Sequence, residues 1–212
     1  MLKRNTFLKA SLIGVLLGWG GSYGVTHFLS YGKEWRLRRF LHVPLPAPSE
    51  HALGDPRAPV CIRYYFSLTC QYCRTFQQKI LPLLLKRYVN TGKLYLVFCE
   101  FPEDEISLQG FTLLRSLPSA SYFWILEDIL AHQDLWQSAP DVLVRLFEKW
   151  GLSEDQQKTL RARPESAKAI LFHRFDAEAQ WNLSATPSFM LHGKVYSGTF
   201  PWAALEEALL GQ

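Results

Sequence analysis

FSLTCQYCRTFQQKILPLLL, from Phe66 to Leu85, contains two cysteines with two residues between them. The preceding run PVCIRYYFS (Pro59–Ser67) is rich in β-branched and aromatic residues, which predicts a strand. Apolar residues at helical spacing follow Cys70 and predict a helix that Pro82 should kink. The cysteines therefore lie where a strand leads into the N-terminus of a helix.

The Cys70–Cys73 pair has the spacing and the position of a redox centre. Unpaired amide groups and the helix dipole stabilise an anion at a helix N-terminus, which favours a thiolate at Cys70. A thiolate is the attacking species in disulfide exchange. Cys73, one turn further along the helix, can then resolve a mixed disulfide at Cys70 and release the partner.

Three other roles for the cysteine pair have less support. A zinc site would need a second ligand pair, which the sequence lacks, so no metal is expected. Attachment of a c-type haem needs His directly after the second cysteine, where the chain has Arg74. A purely structural Cys70–Cys73 bond would close too small a loop to stabilise the fold much. Redox chemistry is the favoured interpretation.

The remaining cysteines, Cys61 and Cys99, lie near opposite ends of their predicted strands. If the two strands are parallel neighbours, about five residues at ~3.3 Å each separate these positions. That separation exceeds the reach of a disulfide. Both residues are therefore predicted to be buried apolar thiols.

A second strand and a helical block follow the cysteine pair. KLYLVFCEF (Lys93–Phe101) is almost continuously apolar, as are strands buried on both faces of a parallel sheet. With the first strand and helix it predicts a βαβ unit. The pattern is then helical from Ile106 to Trp181, where Ser153 and Gln156 have the spacing of a capping box.

Strand character returns near the end of the chain. PSFMLHGKVYSG (Pro187–Gly198) predicts a hairpin that turns at His192–Gly193. A last short helix should begin near Pro201 and end near Leu210. The predicted fold class is therefore α/β, in the order βαβ unit, helical block, β-hairpin and helix.

The charges separate the N-terminus from the rest of the chain. Residues 1–42 hold seven Lys and Arg against one Glu, whereas the other 170 residues hold 16 against 18. A folded body that bound nucleic acid would carry the basic excess itself, so nucleic-acid binding is not expected.

Residues 10–32 contain no charged side chain and are long enough to span a bilayer. They predict a membrane anchor, with a cleaved signal peptide or a buried helix as alternatives.

These observations predict four parts of the chain. The parts are a signal-anchor segment at 1–32, a basic and then Pro-rich tether at 33–57, a main domain formed by 58–105 with 182–212, and an inserted helical domain at 106–181.

Three segments together resemble DsbA-like members of the thioredoxin-fold thiol-disulfide oxidoreductases. They are GDPRAPVCIRYYFSLTCQYCRTF, KLYLVFCEFP and ATPSFMLHGKVYSG, and the resemblance covers residues 54–210. It implies a thioredoxin fold interrupted by a helical domain. It also implies that Cys70 is the nucleophile, that Cys73 is its buried partner, and that Thr186–Pro187 is a cis-proline loop that pairs with substrate.

The chain departs from the family pattern at two places. Many relatives carry a buried carboxylate six residues before the first cysteine, where this chain has Tyr64. Proton transfer for Cys73 would then use water, Glu100 or no dedicated group. The residues between the cysteines, Gln71 and Tyr72, lack the proline or histidine common in the family, so the resemblance leaves the reduction potential open.

The resemblance implies a periplasmic or otherwise extracytoplasmic oxidase of cysteine-containing proteins, held in the inner membrane by residues 10–32. It further implies a DsbB-like membrane oxidase as redox partner and no bound cofactor. A reductase or isomerase of the same fold, and a tethered binding module or chaperone without turnover, remain alternatives. Leu68 and Tyr72 are candidate exposed contacts for unfolded substrates, or ordinary packing residues.

Overall fold

A five-stranded mixed sheet forms the centre of the computed structural model, which describes residues 51–211. In the described part the strand order is β1-β3-β2-β4-β5. The strands are β1 (His51–Leu53), β2 (Val60–Phe66), β3 (Leu94–Glu100), β4 (Ser188–Leu191) and β5 (Lys194–Ser197). β2 and β3 are parallel, and the other neighbouring pairs are antiparallel. The predicted βαβ unit and hairpin are confirmed.

The hairpin turns at the predicted residues. His192 and Gly193 lie between β4 and β5 with φ angles of 48° and 75°. Two consecutive positive φ angles are typical of the tight turns whose twist matches that of the paired strands. Glycine adopts such a φ without steric cost, which explains its presence at the second position.

Strand β1 lies inside the segment predicted as a tether. His51 pairs with Phe98 across the sheet, and the His51 ring stacks on Tyr122 with 3.4 Å between the ring centroids. The described sheet therefore begins at His51 rather than near Ala58. Three residues without β-branched side chains carry little strand signal of their own, and pairing along the edge of β3 supplies the missing stability.

The helix that follows the cysteines changes its winding around Pro82. It consists of α1 (Gln71–Thr75), a π-helical turn (Phe76–Ile80), α2 (Leu81–Leu84) and a second π-helical turn (Leu85–Val89). The N–H of Leu81 bonds the carbonyl of Phe76, five residues back. Proline has no N–H and its ring disturbs the preceding turn, so the predicted irregularity takes the form of π turns.

The chain between β3 and β4 is helical, as predicted. It holds a 3₁₀ turn (Ser119–Ser121) and six helices: α3 (Glu105–Leu114), α4 (Tyr122–Ala131), α5 (Gln133–Ser138), α6 (Pro140–Lys149), α7 (Glu154–Arg161) and α8 (Pro164–Trp181). The capping box at the start of α7 is confirmed, because Ser153 and Gln156 bond each other's backbone N–H. Helix α9 (Trp202–Leu210) ends the described chain, with Pro201 at its N-cap.

A core shared by sheet and insertion joins these elements. One face of the sheet carries Tyr64, Phe66 and Phe98, which contact one another as aromatic pairs. Phe111 of α3 meets Phe66 edge to face, with 5.2 Å between the ring centroids. All of these rings are at most 3% exposed. Helix α3 of the insertion therefore packs on the same face of the sheet as Phe76 of the cysteine helix, which contacts Tyr64.

The prediction of buried thiols at Cys61 and Cys99 is wrong. Cys61 is exposed and Cys99 is partly buried. Cys61 pairs in register with Tyr95, whereas Cys99 pairs with Tyr65 four positions further along β2. Alternate residues of a strand face opposite sides of the sheet, so these positions point away from the aromatic core on the Tyr64 face.

The predicted membrane anchor, residues 10–32, and the first part of the tether lie outside the described residues. Within residues 51–211 no helix combines the length and apolar character needed to cross a bilayer.

Loss of Arg115 is expected to destabilise the fold strongly. The buried Glu100 at the end of β3 pairs with Arg115 after α3 and accepts a hydrogen bond from Tyr122. Arg115→Met leaves a buried carboxylate without its cation, which costs about 3–5 kcal/mol of unfolding free energy. Denaturant titration measures the change. Arg145→Met, which breaks an exposed helical ion pair, is the control and should cost well under 1 kcal/mol.

Candidate active site

Cys70 occupies the N-cap of the cysteine helix. Its sulfur accepts a hydrogen bond from the backbone N–H of Cys73, with 3.3 Å between the atoms. Cys70 is 8% exposed and Cys73 is fully buried, so an attacking group from solvent can reach only the first sulfur. Both residues are thiols in this structure. The two cysteines therefore have different environments although only two residues separate them in the chain.

The two environments move the pKa values of the cysteines in opposite directions. The pKa of Cys70 falls to about 6, chiefly because Cys73 donates hydrogen bonds to its sulfur, and this effect outweighs the partial burial that raises the pKa. Burial raises the pKa of Cys73, and the neighbouring Cys70 adds to that rise. At neutral pH Cys70 is therefore mainly a thiolate and Cys73 a thiol. This is the division of labour that disulfide exchange requires.

The Thr186–Pro187 segment lies against the cysteine pair. The peptide bond between these residues is cis, and the Cys70 thiol donates to the Thr186 carbonyl across 3.3 Å. Ser188 begins β4 and pairs with Tyr65 near the end of β2, which delivers the segment to the same edge of the sheet. All four residues predicted for the site thus come together.

The Thr186 side chain has a further feature. Its hydroxyl is buried and has no hydrogen-bond partner among the described groups.

Tyr64 lies at the position where the resemblance led us to look for a buried carboxylate. The Tyr64 side chain is fully buried, and its hydroxyl donates to the backbone carbonyl of Cys73 across 3.4 Å. Burial raises its pKa, so the phenol stays protonated. Glu100, the other candidate for proton transfer, is bound to Arg115 and Tyr122 instead. The side chain of Tyr64 therefore fixes the helix backbone and carries no charge toward Cys73.

Helix α5 of the insertion holds the loop before Cys70, a role that the sequence did not reveal. The buried amide of Gln133 donates to the carbonyls of Leu68 and Cys70 across 2.6 and 3.1 Å. The amide of Gln137 donates to the carbonyl of Thr69 across 2.8 Å. Three successive carbonyls are thus satisfied by one helix. Polar residues within a helical pattern normally indicate a solvent-facing side, which is why the pattern hid this role.

An ion pair between Arg74 and Asp134 joins α1 to α5 beside this loop. Of the two candidate substrate contacts, Leu68 is 1% exposed, which agrees with the alternative of an ordinary packing residue. Tyr72, between the cysteines, is 73% exposed.

Glu103 is a second residue that the sequence did not single out. Its carboxylate accepts the backbone N–H of Thr186 across 3.1 Å, and its own N–H donates to the hydroxyl of Ser67. Glu103 follows β3 as the cysteines follow β2, and parallel strands end at the same edge of a sheet. That topology is the signal that could have identified it.

Comparison with known proteins agrees with the fold. A sequence model of the thioredoxin family matches residues 47–210. A Rickettsia conorii protein named as a candidate protein-disulfide oxidoreductase is 30% identical over 157 residues, which are 72% of this chain and 56% of that protein. The chain thus spans just over half the length of this curated relative.

Solved structures share the architecture. Wolbachia pipientis α-DsbA1 has 24% sequence identity and a TM-score of 0.67, over 80% of this chain and 94% of its own. A protein-disulfide isomerase from Novosphingobium aromaticivorans has 22% identity and a TM-score of 0.66, over 78% and 98% respectively. At these identities the likeness shows the fold: an α/β thioredoxin-like sheet with a helical insertion.

Ionisation of Cys70 should make the stability of the reduced protein depend on pH. Its folded pKa of about 6 lies below the value of about 8.5 for an unfolded cysteine. A depressed folded pKa stabilises the fold above the unfolded pKa, and that contribution is lost as the pH falls to about 6. Urea unfolding of the reduced protein and of Cys70→Ser between pH 5 and 9 measures it. Equal pH profiles for both proteins would contradict a stabilised thiolate.

Proposed function

The chain belongs to the thioredoxin family and is DsbA-like, and from this premise we propose that it is an extracytoplasmic thiol-disulfide oxidoreductase. In this proposal it oxidises the thiols of cysteine-containing proteins through the Cys70–Cys73 pair. The observation that carries the proposal is the stabilised sulfur of Cys70, which accepts the Cys73 N–H and has a pKa of about 6.

The reaction follows from the different environments of the two sulfurs. A substrate thiolate attacks Cys70 of the disulfide form, the Cys70–Cys73 bond breaks, and Cys73 leaves with the electron pair and takes up a proton. A second substrate thiolate then attacks the substrate sulfur of the mixed disulfide and releases Cys70 as a thiolate. Two electrons pass from the substrate dithiol to the pair, and the substrate gains a disulfide.

Stabilisation of the departing Cys70 supports the oxidising direction. A thiol of low pKa is a good leaving group, and an enzyme whose reduced form is stabilised is a strong oxidant. The opposite direction, as a reductase or isomerase, remains the nearest alternative. A reductase would require a Cys70–Cys73 potential close to about −270 mV, as in thioredoxin, and an isomerase one close to about −180 mV, as in protein disulfide isomerase, rather than about −120 mV, as in DsbA.

Substrate binding is proposed at the Thr186–Pro187 segment. This segment precedes β4 and lies beside Cys70, so an extended substrate strand could meet it next to the reactive sulfur. The exposed ring of Tyr72 stands between the cysteines and offers an apolar contact. A tethered binding module or chaperone would use the same surface without turnover.

The membrane assignments extend the proposal beyond residues 51–211. Residues 10–32 would anchor the protein in the inner membrane, with residues 33–50 leading to the folded body on the periplasmic side. A DsbB-like membrane oxidase would restore the Cys70–Cys73 disulfide after each turnover. The exchange uses only sulfur chemistry, so the proposal includes no bound cofactor and no metal.

Replacement of the resolving cysteine should trap substrates. Cys73→Ala leaves Cys70 able to form a mixed disulfide but removes the thiol that resolves it from within the site. Adducts with cellular proteins should accumulate and disappear on treatment with a reductant, as measured by non-reducing electrophoresis. Cys70→Ala with Cys73 intact is the matched control and should trap nothing. Equal adduct levels in both variants would contradict the assignment of Cys70 as nucleophile.

Equilibration of the purified protein with glutathione buffers measures the reduction potential and decides the direction. A value near that of DsbA agrees with an oxidase, whereas a value near that of thioredoxin assigns a reductase. Failure to exchange with any thiol would contradict both and leave the binding module.

A further inference from the structure

We propose that Glu103 is a positioning residue of the redox site: its carboxylate holds the Thr186–Pro187 segment against the cysteines, and its charge limits how far the Cys70 thiolate is stabilised. This inference rests on the proposed function, because it concerns the tuning of the same cysteine pair. Two of the measurements that test it, the titration of Cys70 and the equilibrium with glutathione, do not require turnover of a protein substrate.

Thr186 is held from both sides. On one side its carbonyl lies 3.3 Å from the Cys70 sulfur and accepts a hydrogen bond from it when Cys70 is protonated; on the other its N–H donates to the Glu103 carboxylate across 3.1 Å in either form of Cys70. The Thr186 N–H precedes β4 and is not part of the ladder to β2, which begins at Ser188. Glu103 therefore supplies an acceptor for the Thr186 N–H, which lies outside the hydrogen-bond ladder of the sheet.

Glu103 itself is fixed to the loop that carries the cysteines. Its backbone N–H donates to the Ser67 hydroxyl, which in turn donates to the hydroxyl of Ser107 across 2.9 Å. The Ser107 hydroxyl also accepts the N–H of Leu68 across 3.0 Å. The backbone of Glu103 is thus anchored to the residues just before Cys70, while its side-chain carboxylate bonds Thr186. A shift of either segment would strain the same set of hydrogen bonds.

Thr186 links the Glu103 carboxylate to the Cys70 sulfur, because its N–H bonds the carboxylate and its carbonyl lies 3.3 Å from the sulfur. The negative charge of Glu103 therefore raises the pKa of Cys70, by less than burial does, against the hydrogen bonds that lower it. The other charged groups around Glu103 are Asp104, which raises its pKa, and Arg174 of α8, which lowers it. Arg174 also pairs with Glu178, so its charge is shared. Partial burial makes the largest contribution and raises the pKa of Glu103. The hydrogen bonds from Thr186 and the charge of Arg174 act in the opposite direction and favour the ionised carboxylate.

Replacement of Glu103 by glutamine separates its two roles. Glutamine keeps an oxygen that can accept the Thr186 N–H and removes the charge. In Glu103→Gln the Cys70 thiol should therefore become more acidic, and the reduced form should gain relative to the disulfide. Glu103→Ala removes both the charge and the acceptor, so it should show the same gain in acidity together with a loosened Thr186–Pro187 segment.

The test uses the full-length protein and titrates the thiolate by its ultraviolet absorbance. Glu103→Gln should increase the acid dissociation constant of Cys70 on the order of threefold, the size of one screened charge interaction. Its equilibrium with glutathione should shift toward the reduced protein by a similar factor. Asp104→Asn is the matched control: it removes a neighbouring charge, and asparagine caps α3 as aspartate does. It should leave both quantities unchanged.

Exchange kinetics test the positioning role. Glu103→Ala should react more slowly than Glu103→Gln with a reduced cysteine peptide, although both have the more acidic Cys70. Unchanged acidity in Glu103→Gln, or an equal change in Asp104→Asn, would overturn the electrostatic role. Equal exchange rates in the alanine and glutamine variants would overturn the positioning role. Absence of exchange in the unaltered protein would contradict the proposed function instead, while the titrations would still decide the role of Glu103.

Discussion

The parallel pairing of β2 with β3 is the constraint on which the site depends. Because the two strands run in the same direction, the loop that carries Cys70 and the loop that carries Glu103 leave the sheet at one edge. β4 runs antiparallel to β2 and begins at that edge, so the Thr186–Pro187 segment enters there as well. Residues more than 100 positions apart in the chain thus meet at one sulfur atom.

The helical insertion gives this edge its rigidity. The carbonyls of Leu68 and Thr69 precede the helix and would normally be bonded by water, whereas the carbonyl of Cys70 also accepts the Arg74 N–H within the helix. Here Gln133 and Gln137 bond the carbonyls of residues 68–70 from α5, while the ion pair of Arg74 with Asp134 closes the side of the helix. The sulfur of Cys70 is therefore held in line with the Cys73 N–H by the insertion as much as by the sheet.

Features with a local cause could be predicted from the sequence. The helix that begins after Cys70, the hairpin at His192–Gly193 and the capping box at Ser153 each depend on residues a few positions apart, and each is confirmed. The site residues could be gathered because a family resemblance supplied their order. β1 escaped prediction because its stability comes from the edge of β3, and Gln133 and Glu103 escaped because their partners are backbone groups distant in sequence. Burial of Cys61 was predicted wrongly because a thiol is neither clearly polar nor clearly apolar, so the residue type does not reveal which face of the strand it occupies.

The polar and charged groups near the Cys70 sulfur differ from those near the Cys73 sulfur. Tyr64 faces the Cys73 carbonyl as a neutral donor, and Glu100 is committed to Arg115, so neither directs a free negative charge at the buried sulfur. Burial alone can then keep Cys73 protonated. The carboxylate that does influence the pair is Glu103, on the side of the accessible sulfur and bonded to the Thr186 backbone. A charge in that position acts on the stability of the reactive thiolate, whereas a buried carboxylate beside Cys73 would act on proton delivery. With a neutral tyrosine at position 64, the carboxylate that acts on the cysteine pair is therefore the one on the side of Cys70.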